Sequence, residues 1–170
     1  MSFSEFTKED YDLIRRSYEA LMPKVRKRCR DEEEVAVVEK AFEFANAAHR
    51  NIRRRSGVPY IIHPIEVAGI VVEIGLGYKS ITAALLHDVV EDTNNTVDDI
   101  RNLFGDKVAQ LVDGLTKIKS VLSRNESLQA ENFKRIMLTL GDDARVVLIK
   151  LADRLHNCRT IEFMPEHKRD

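Results

Sequence analysis

Residues 83–92 read Ala83-Ala84-Leu85-Leu86-His87-Asp88-Val89-Val90-Glu91-Asp92, and they set the terms for the rest of the chain. A stretch this apolar belongs in a helical core, yet it carries a histidine and three carboxylates within about two turns. Asp88, Glu91 and Asp92 recur at three- and four-residue spacing, so they share one helix face and repel one another. They also fall toward the helix C-terminus, where the dipole disfavours negative charge. An uncompensated set of this kind costs several times the ~0.2–0.5 kcal/mol of one like-charge pair, and more when buried. A divalent cation is the simplest remedy. The plain alternative is an exposed acidic helix end.

Working outward, a second anomaly lies in Val146-Val147-Leu148-Ile149-Lys150-Leu151-Ala152-Asp153-Arg154-Leu155-His156-Asn157. Asp153, His156, Asn157 and Thr160 fall on one face at spacings of three, four and seven. Taken alone, Asp153 reads as an intrahelical partner of Lys150 or a cap on another element. A third anomaly is His63 in Tyr60-Ile61-Ile62-His63-Pro64, at a loop-to-helix junction that suits a fixed ligand; a lone histidine there is as readily structural. The conjunction matters more than its parts. His63, then His87-Asp88, then a distant Asp153 is the H…HD…D order of the HD phosphohydrolase superfamily, which this chain resembles. Two imidazole nitrogens and two carboxylate oxygens suit one divalent transition metal with positions left open for water and a phosphate oxygen. Such a metal acidifies water and neutralises charge developing on phosphoryl oxygens. Glu91 and Asp92, one turn further on, are placed to orient or deprotonate that water.

Helical periodicity dominates elsewhere, with little strand-like alternation. Thr7-Lys8-Glu9-Asp10 resembles a capping box and opens a first helix, expected to end or kink near Pro23. Asp31 followed by three glutamates starts a second, with Val35, Val38, Phe42 and Ala45 as its buried stripe. A basic loop from Arg53 to Tyr60 follows. His63-Pro64 begins a third helix, stopped by Gly75 and Gly77. Ser80 is expected to cap a fourth that runs into His87 and Asp88. Thr96 opens a short helix ended by Gly105, and Asp106 is placed to cap the next. Residues 120–127 read as a polar, mobile connection, 126–140 as a helix, and Asp142 or Asp143 as the start of the last apolar helix. The fold class is all-α: a compact multi-helix bundle with a metal site in its core, in one domain spanning 1–170.

Bulk properties narrow the class. With 170 residues and 44% hydrophobic, the chain can build a real core. The 27 Lys+Arg against 28 Asp+Glu give a net charge of -1, which argues against a protein that coats DNA or RNA. No apolar run approaches the roughly 20 residues that span a bilayer, and the acidic N-terminus lacks a signal-peptide pattern, so no membrane partner and a cytoplasmic location are expected. Cys29 and Cys158 form no C-x-x-C pair, which argues against a disulfide scaffold.

At finer grain, four blocks resemble the hydrolase domain of the RelA/SpoT-type alarmone enzymes: Arg54-Arg55-Ser56-Gly57-Val58-Pro59-Tyr60-Ile61-Ile62-His63-Pro64, Leu85 to Thr93, Ala130-Glu131-Asn132-Phe133, and Ile149 to Thr160. The resemblance runs from about Ala48 to Ile161. It implies a single Mn²⁺ held by His63, His87, Asp88 and Asp153, with Glu91 and Asp92 acting on the attacking water. It implies that Arg54, Arg55 and Ser56 meet the guanine base and phosphates, and that Asn157 and Thr160 line the nucleoside pocket. The implied reaction is attack by water on the phosphorus next to the ribose 3′ oxygen of guanosine 3′,5′-bis(diphosphate), or its pentaphosphate form. Pyrophosphate and GDP or GTP leave, which ends the stringent response. Physics supports the basic loop independently, because a polyphosphate in a carboxylate-rich pocket needs nearby cations.

Arg55 stands where many family members carry Lys, Ile52 where they carry Gln, and Cys158 where Met is common, with core packing expected for Cys158. The family's domain continues past Asp170, so the chain reads as a truncated domain, lacking the synthetase domain attached in long members. Two alternatives stay open: an HD phosphohydrolase of another nucleotide, and a catalytically silent regulatory module of a larger alarmone synthetase.

Overall fold

The computed structural model describes residues 1–124 and 144–160, with only the backbone of 119–124. Helix α1 spans Lys8–Arg28 and begins where the sequence says it should. Thr7 Oγ1 accepts from the Asp10 backbone N–H at 3.2 Å, and Asp10 Oδ2 accepts from the Thr7 N–H at 2.7 Å. Pro23 does not end it. The proline removes one backbone donor, but Leu21, Met22 and Val25 around it are buried, and that packing carries the helix on to Arg28. Helix α2, Glu32–Ala48, is capped by Asp31 Oδ1 at the Glu34 N–H, and Val35, Val38, Phe42 and Ala45 are all buried.

Two short strands, β1 (Ser2–Phe3) and β2 (Ile52–Arg53), pair antiparallel, with Ser2 opposite Arg53 and Phe3 opposite Ile52. They form the only sheet among the described residues. Arg53 fastens this ribbon. Its guanidinium donates to Asp10 Oδ2 at 2.6 Å, Ser4 Oγ at 2.6 Å and the Glu5 and Gly57 carbonyls. That pairing holds the Asp10 carboxyl down at about 2, against the opposing effect of burial.

Helix α3, Ile62–Ile74, is apolar on nearly every side and therefore sits in the middle, packed on α1, α4 (Tyr78–Leu86) and the last described helix, α8 (Ala144–Arg159). Gly75 closes it in the left-handed conformation, φ 97°, which a residue with a Cβ rarely adopts. Pro64 falls in its first turn, where backbone donors lack partners anyway. Helix α4 starts earlier than expected. Gly77 is its N-cap, and Ser80 lies one turn inside, buried, its hydroxyl without a hydrogen-bond partner.

After the four-residue α5 (Val89–Asp92) comes α6 (Val97–Phe104), opened by a Thr96–Asp99 capping box and closed by Gly105. Helix α7 spans Asp106–Arg124, with Asp106 as its first residue rather than its cap. Residues 120–124, read from sequence as a loose connection, continue that helix. The expected helix over 126–140, the Ala130–Phe133 block and the Asp142/Asp143 start lie outside the described residues. Cys158 is exposed rather than packed in the core, and Cys29 is also a free thiol. Among the described residues, no helix is long and apolar enough to cross a membrane.

Helix α7 meets α8 closely at Gly114, where an added Cβ would stand 3.0 Å from Val146 Cγ2. Gly114→Leu should therefore overpack this crossing and lower the unfolding free energy by about 1–3 kcal/mol, measured by urea denaturation. Adding Val146→Ala should recover part of the loss; no recovery would show that the contact does not set the helix spacing.

Candidate active site

The His87-Asp88 pair sits at a break in the chain, not on a continuous helix. Helix α4 ends at Leu86, and His87 (φ -59°, ψ -31°) and Asp88 (φ -96°, ψ -7°) join it to α5. The His87 ring supplies the cause. Its Nδ1 lies 2.5 Å from the Ala84 carbonyl, the acceptor an uninterrupted helix would offer to the Asp88 N–H. The expectation that the fourth helix carries Asp88, Glu91 and Asp92 on one unbroken face is corrected accordingly. Asp88 is buried, Asp92 partly buried and Glu91 exposed.

Three segments converge at this break. His63 comes from the first turn of α3, His87 and Asp88 from the junction, and Asp153 from α8; none is more than 6% exposed. His63, His87 and Asp88 each bring one ligand atom within 4.8 Å of the others. Asp153 joins through Oδ1, 2.6 Å from His63 Nε2 and 3.3 Å from His87 Nε2. Asp88 Oδ2 lies 3.0 Å from His87 Nε2. That Nε2 is fully buried and has no hydrogen-bond partner, while Nδ1 faces a carbonyl and so carries a hydrogen. Nε2 thus points into the cluster, where it holds a proton toward Asp88 and Asp153 or, with that proton displaced, offers a lone pair to a cation. Two imidazoles and two carboxylates in this arrangement fit a divalent transition-metal ion.

Outer partners orient each donor, as metal ligands require. Tyr60 Oη donates to Asp88 Oδ2 at 2.5 Å, and Lys150 Nζ donates to Asp153 Oδ2 at 2.8 Å. The Lys150 pairing that sequence offers as an alternative for Asp153 is therefore real, but it occupies one oxygen and leaves the other facing the imidazoles. His63 Nδ1 lies 2.6 Å from His156 Nδ1, so one ring donates and the other accepts. Burial pushes His156 down to about 4, which keeps it neutral for that role.

The charges balance without a metal only through protons. Burial opposes ionisation of Asp88 and Asp153, but the neighbouring imidazoles outweigh it and hold both well below the usual carboxylate range. Burial likewise opposes a charged His87, yet Asp88 and Asp153 hold it well above its ordinary value. His63 is pushed down by burial, although Asp153 pulls the other way. Burial beside Asp88 drives Tyr60 up, so it remains a phenol donor.

Among the residues expected to meet substrate, Arg54, Asn157 and Thr160 come together. Arg54 donates from Nη2 to Asn157 Oδ1 at 2.9 Å and from Nη1 to Thr160 Oγ1 at 3.4 Å. Burial pulls Arg54 below its ordinary value, while Tyr60, Asp153 and Asp88 hold it up. The turn holding it is closed by Arg54 N–H to the Val58 carbonyl and Gly57 N–H to the Arg54 carbonyl, with Gly57 at φ 91°. Arg55 and Ser56 stand exposed at the tip of this turn and are not drawn into the Asn157–Thr160 cluster. Arg53 points away, into the ribbon.

Sequence reasoning gave no role to Tyr60 or His156, and passed over His49. His49 Nε2 lies 3.1 Å from Asp92 Oδ2, and its ring stacks on Tyr60 at 4.9 Å. The available signal was spacing: His49 follows Ala45 by four and Phe42 by seven, which extends the buried stripe of α2.

The family model of the HD domain matches residues 41–170. The chain is 47% identical over 135 residues to the GTP pyrophosphokinase rsh of Brucella melitensis, covering 79% of this chain and 18% of that protein. It is 45% identical to the guanosine-3′,5′-bis(diphosphate) 3′-pyrophosphohydrolase of Aquifex aeolicus, covering 78% and 19%. It thus spans under a fifth of the length of these relatives. A solved structure described as a metazoan ortholog of SpoT that hydrolyzes ppGpp superposes with TM-score 0.61 at 33% identity, covering 79% of this chain and 78% of that one.

Tyr60→Phe should leave a buried Asp88 oxygen short of a donor and lower the unfolding free energy of the metal-free chain by about 1–3 kcal/mol. Urea denaturation measures this, and an unchanged stability would show that the phenol does not support Asp88.

Proposed function

We propose, starting from the fact that this chain belongs to the HD domain family, that it removes the 3′ diphosphate from guanosine 3′,5′-bis(diphosphate) in a metal-dependent hydrolysis. The observation that carries this reading is the convergence of His63, His87, Asp88 and Asp153 beside an Arg54 that reaches Asn157 and Thr160. The printed name of the Aquifex relative and the description of the SpoT ortholog support the choice of substrate. The pyrophosphokinase name of the Brucella relative describes a protein more than four times this length, and a synthetase domain attached in a longer protein is the partner it suggests.

In this reading residues 1–170 act as one HD hydrolase domain working in the cytoplasm. Mn²⁺ is the proposed ion, held by His63, His87, Asp88 and Asp153, and when bound it supplies Lewis acidity toward water and phosphoryl oxygens. The side chains do the rest. Arg54, with its planar fork, pairs with phosphate or stacks on guanine, and gives up Asn157 and Thr160 to the nucleoside. Arg55 and Ser56, at the exposed turn, meet the base and phosphates from the solvent side. Glu91 takes a proton from the attacking water, with Asp92 beside it. The water oxygen bonds to the phosphorus carried on the ribose 3′ oxygen, and the P–O3′ bond breaks. Pyrophosphate and GDP leave, or pyrophosphate and GTP from the pentaphosphate form.

Pyrophosphate release from guanosine 3′,5′-bis(diphosphate), followed with Mn²⁺ and again after chelation, tests the reading. The expected result is metal-dependent release with GDP as co-product; stoichiometric Mn²⁺ binding without release would transfer the site to another phosphate ester. Glu91→Gln should keep Mn²⁺ bound while lowering kcat by roughly 10²–10⁴-fold. His63→Ala and Asp88→Asn should lose the metal itself, measured by equilibrium dialysis. Full activity in Glu91→Gln would remove that residue from the chemistry.

A further inference from the structure

A second polar cavity, of about 360 Å³, opens at the start of α4 and shares no residue with the metal cluster or with the Arg54 contacts. Four cationic side chains line it, each from a different part of the chain. Arg28 comes from the last turn of α1, Arg30 from the turn before α2, Lys79 from the first turn of α4, and Arg145 from the first turn of α8. Glu34 is the one carboxylate in the lining, and its Oε2 already accepts from the Arg30 backbone N–H at 2.8 Å. Arg28 spends Nε on the Gly75 carbonyl at 3.0 Å, and the Lys79 ammonium lies 5.9 Å from the Tyr78 ring. Among the described residues, none of Arg28, Arg30 and Lys79 forms an ion pair with a carboxylate. A chain whose net charge is -1 thus gathers a local surplus of positive charge around one concavity.

The backbone adds donors to the same space. Gly77, the N-cap of α4, is extended (φ -84°, ψ -178°) and has no side chain to accept from the first turn. The first bond across the cap runs from the Ile81 N–H to the Gly77 carbonyl at 3.1 Å, which leaves the N–H groups of Tyr78, Lys79 and Ser80 without an acceptor in the helix. Gly77, Tyr78 and Lys79 all line the cavity, so this end of the helix opens into it. Such a space calls for a ligand that only accepts hydrogen bonds and carries several negative charges. Guanidinium forks and the N–H groups of a helix start both match phosphate oxygens. One phosphate, at about -1.5 to -2, leaves part of a surplus of three cations unmatched; two linked phosphates cover it.

We propose that this cavity binds the diphosphate group of a small molecule and clamps the starts of α4 and α8 together. The placement gives the clamp a consequence. Helix α4 runs from here to the His87-Asp88 break, and α8 carries Asp153 about two turns beyond Arg145. The two helices touch each other less than either touches α3, so a bound anion fastens them at the ends remote from the metal cluster. The site stands whether or not the chain hydrolyses the substrate proposed above.

Titration of the ¹⁵N-labelled chain with inorganic pyrophosphate tests this without turnover. A chelator keeps the metal site out of the measurement, and about 0.15 M salt screens loose surface attraction. The backbone signals of Gly77 to Ser80 and of Arg145 should shift and saturate together, and the melting temperature should rise with pyrophosphate concentration. Lys79→Ala and Arg30→Ala should each weaken binding by about ten- to a hundredfold. Gly77→Asp separates binding from folding. An added Cβ there meets nothing within 4 Å, and the new carboxylate caps α4 while occupying the donors the anion needs, so stability should hold or rise as binding is lost. GDP and ADP, run beside pyrophosphate, tell a free diphosphate from one carried on a nucleoside: equal affinity means that the phosphates alone are read, and tighter binding that the nucleoside is held as well. Shifts confined to Arg54, Asn157 and Thr160, shifts that never saturate, or undiminished binding in Gly77→Asp would overturn the site. A hexaglutamate peptide that binds as tightly as pyrophosphate would overturn the choice of a diphosphate.

Discussion

Four ionisable side chains share a core from which water is almost excluded, and the rest of the molecule answers to that. Asp88 and Asp153 bring two negative charges to within ion-pair distance of the buried His87, and Asp153 adds a contact to the equally buried His63. Such a cluster is stable only when compensated, either by a proton on an imidazole or by a cation in its centre. The protonated alternative is written into the opposing shifts of His87 and its two carboxylates. The metal alternative uses the same atoms with the proton displaced.

The helical framework can be understood as the means of bringing these groups together from distant parts of the chain. Helix α3 occupies the centre because it is apolar all round, and its first turn presents His63. Helix α4 ends where the His87 ring claims the Ala84 carbonyl, and this break points Asp88 inward rather than along the outer face of a helix. Helix α8 contributes Asp153 on the face it presents to α3, with Asn157 and Thr160 further along to receive Arg54. The N-terminal ribbon stays out of the chemistry. It matters because Arg53, bound to Asp10, fixes the loop in which Arg54 turns the other way.

Much of this was legible before any coordinates. The apolar decapeptide around His87 exposed its own inconsistency, and the capping boxes at Thr7 and Thr96 and the cap at Asp31 stand where local chemistry puts them. The errors have physical causes. Pro23 reads as an end or a kink because the cost of one lost hydrogen bond is local and visible; the helix does not end there, since the burial of Leu21, Met22 and Val25 that outweighs that cost depends on α3. Ser80 looked like a cap because its residue type favours one, but Gly77 starts the helix first. His49 and His156 were missed as partners because their meaning lies in Asp92 and His63, 43 and 93 residues away in sequence. The break at His87 could not be read at all, since a helix and a side chain that interrupts it share the same periodicity.

The claim on which everything else depends is that His63, His87, Asp88 and Asp153 together hold one divalent ion. Pulsed electron paramagnetic resonance on the Mn²⁺-loaded chain, with its histidines ¹⁵N-labelled, tests this most directly. The account predicts one Mn²⁺ per chain, coupled to two imidazole nitrogens. Mn²⁺ surrounded by oxygen donors alone, or spread over weak sites with no nitrogen coupling, would contradict it.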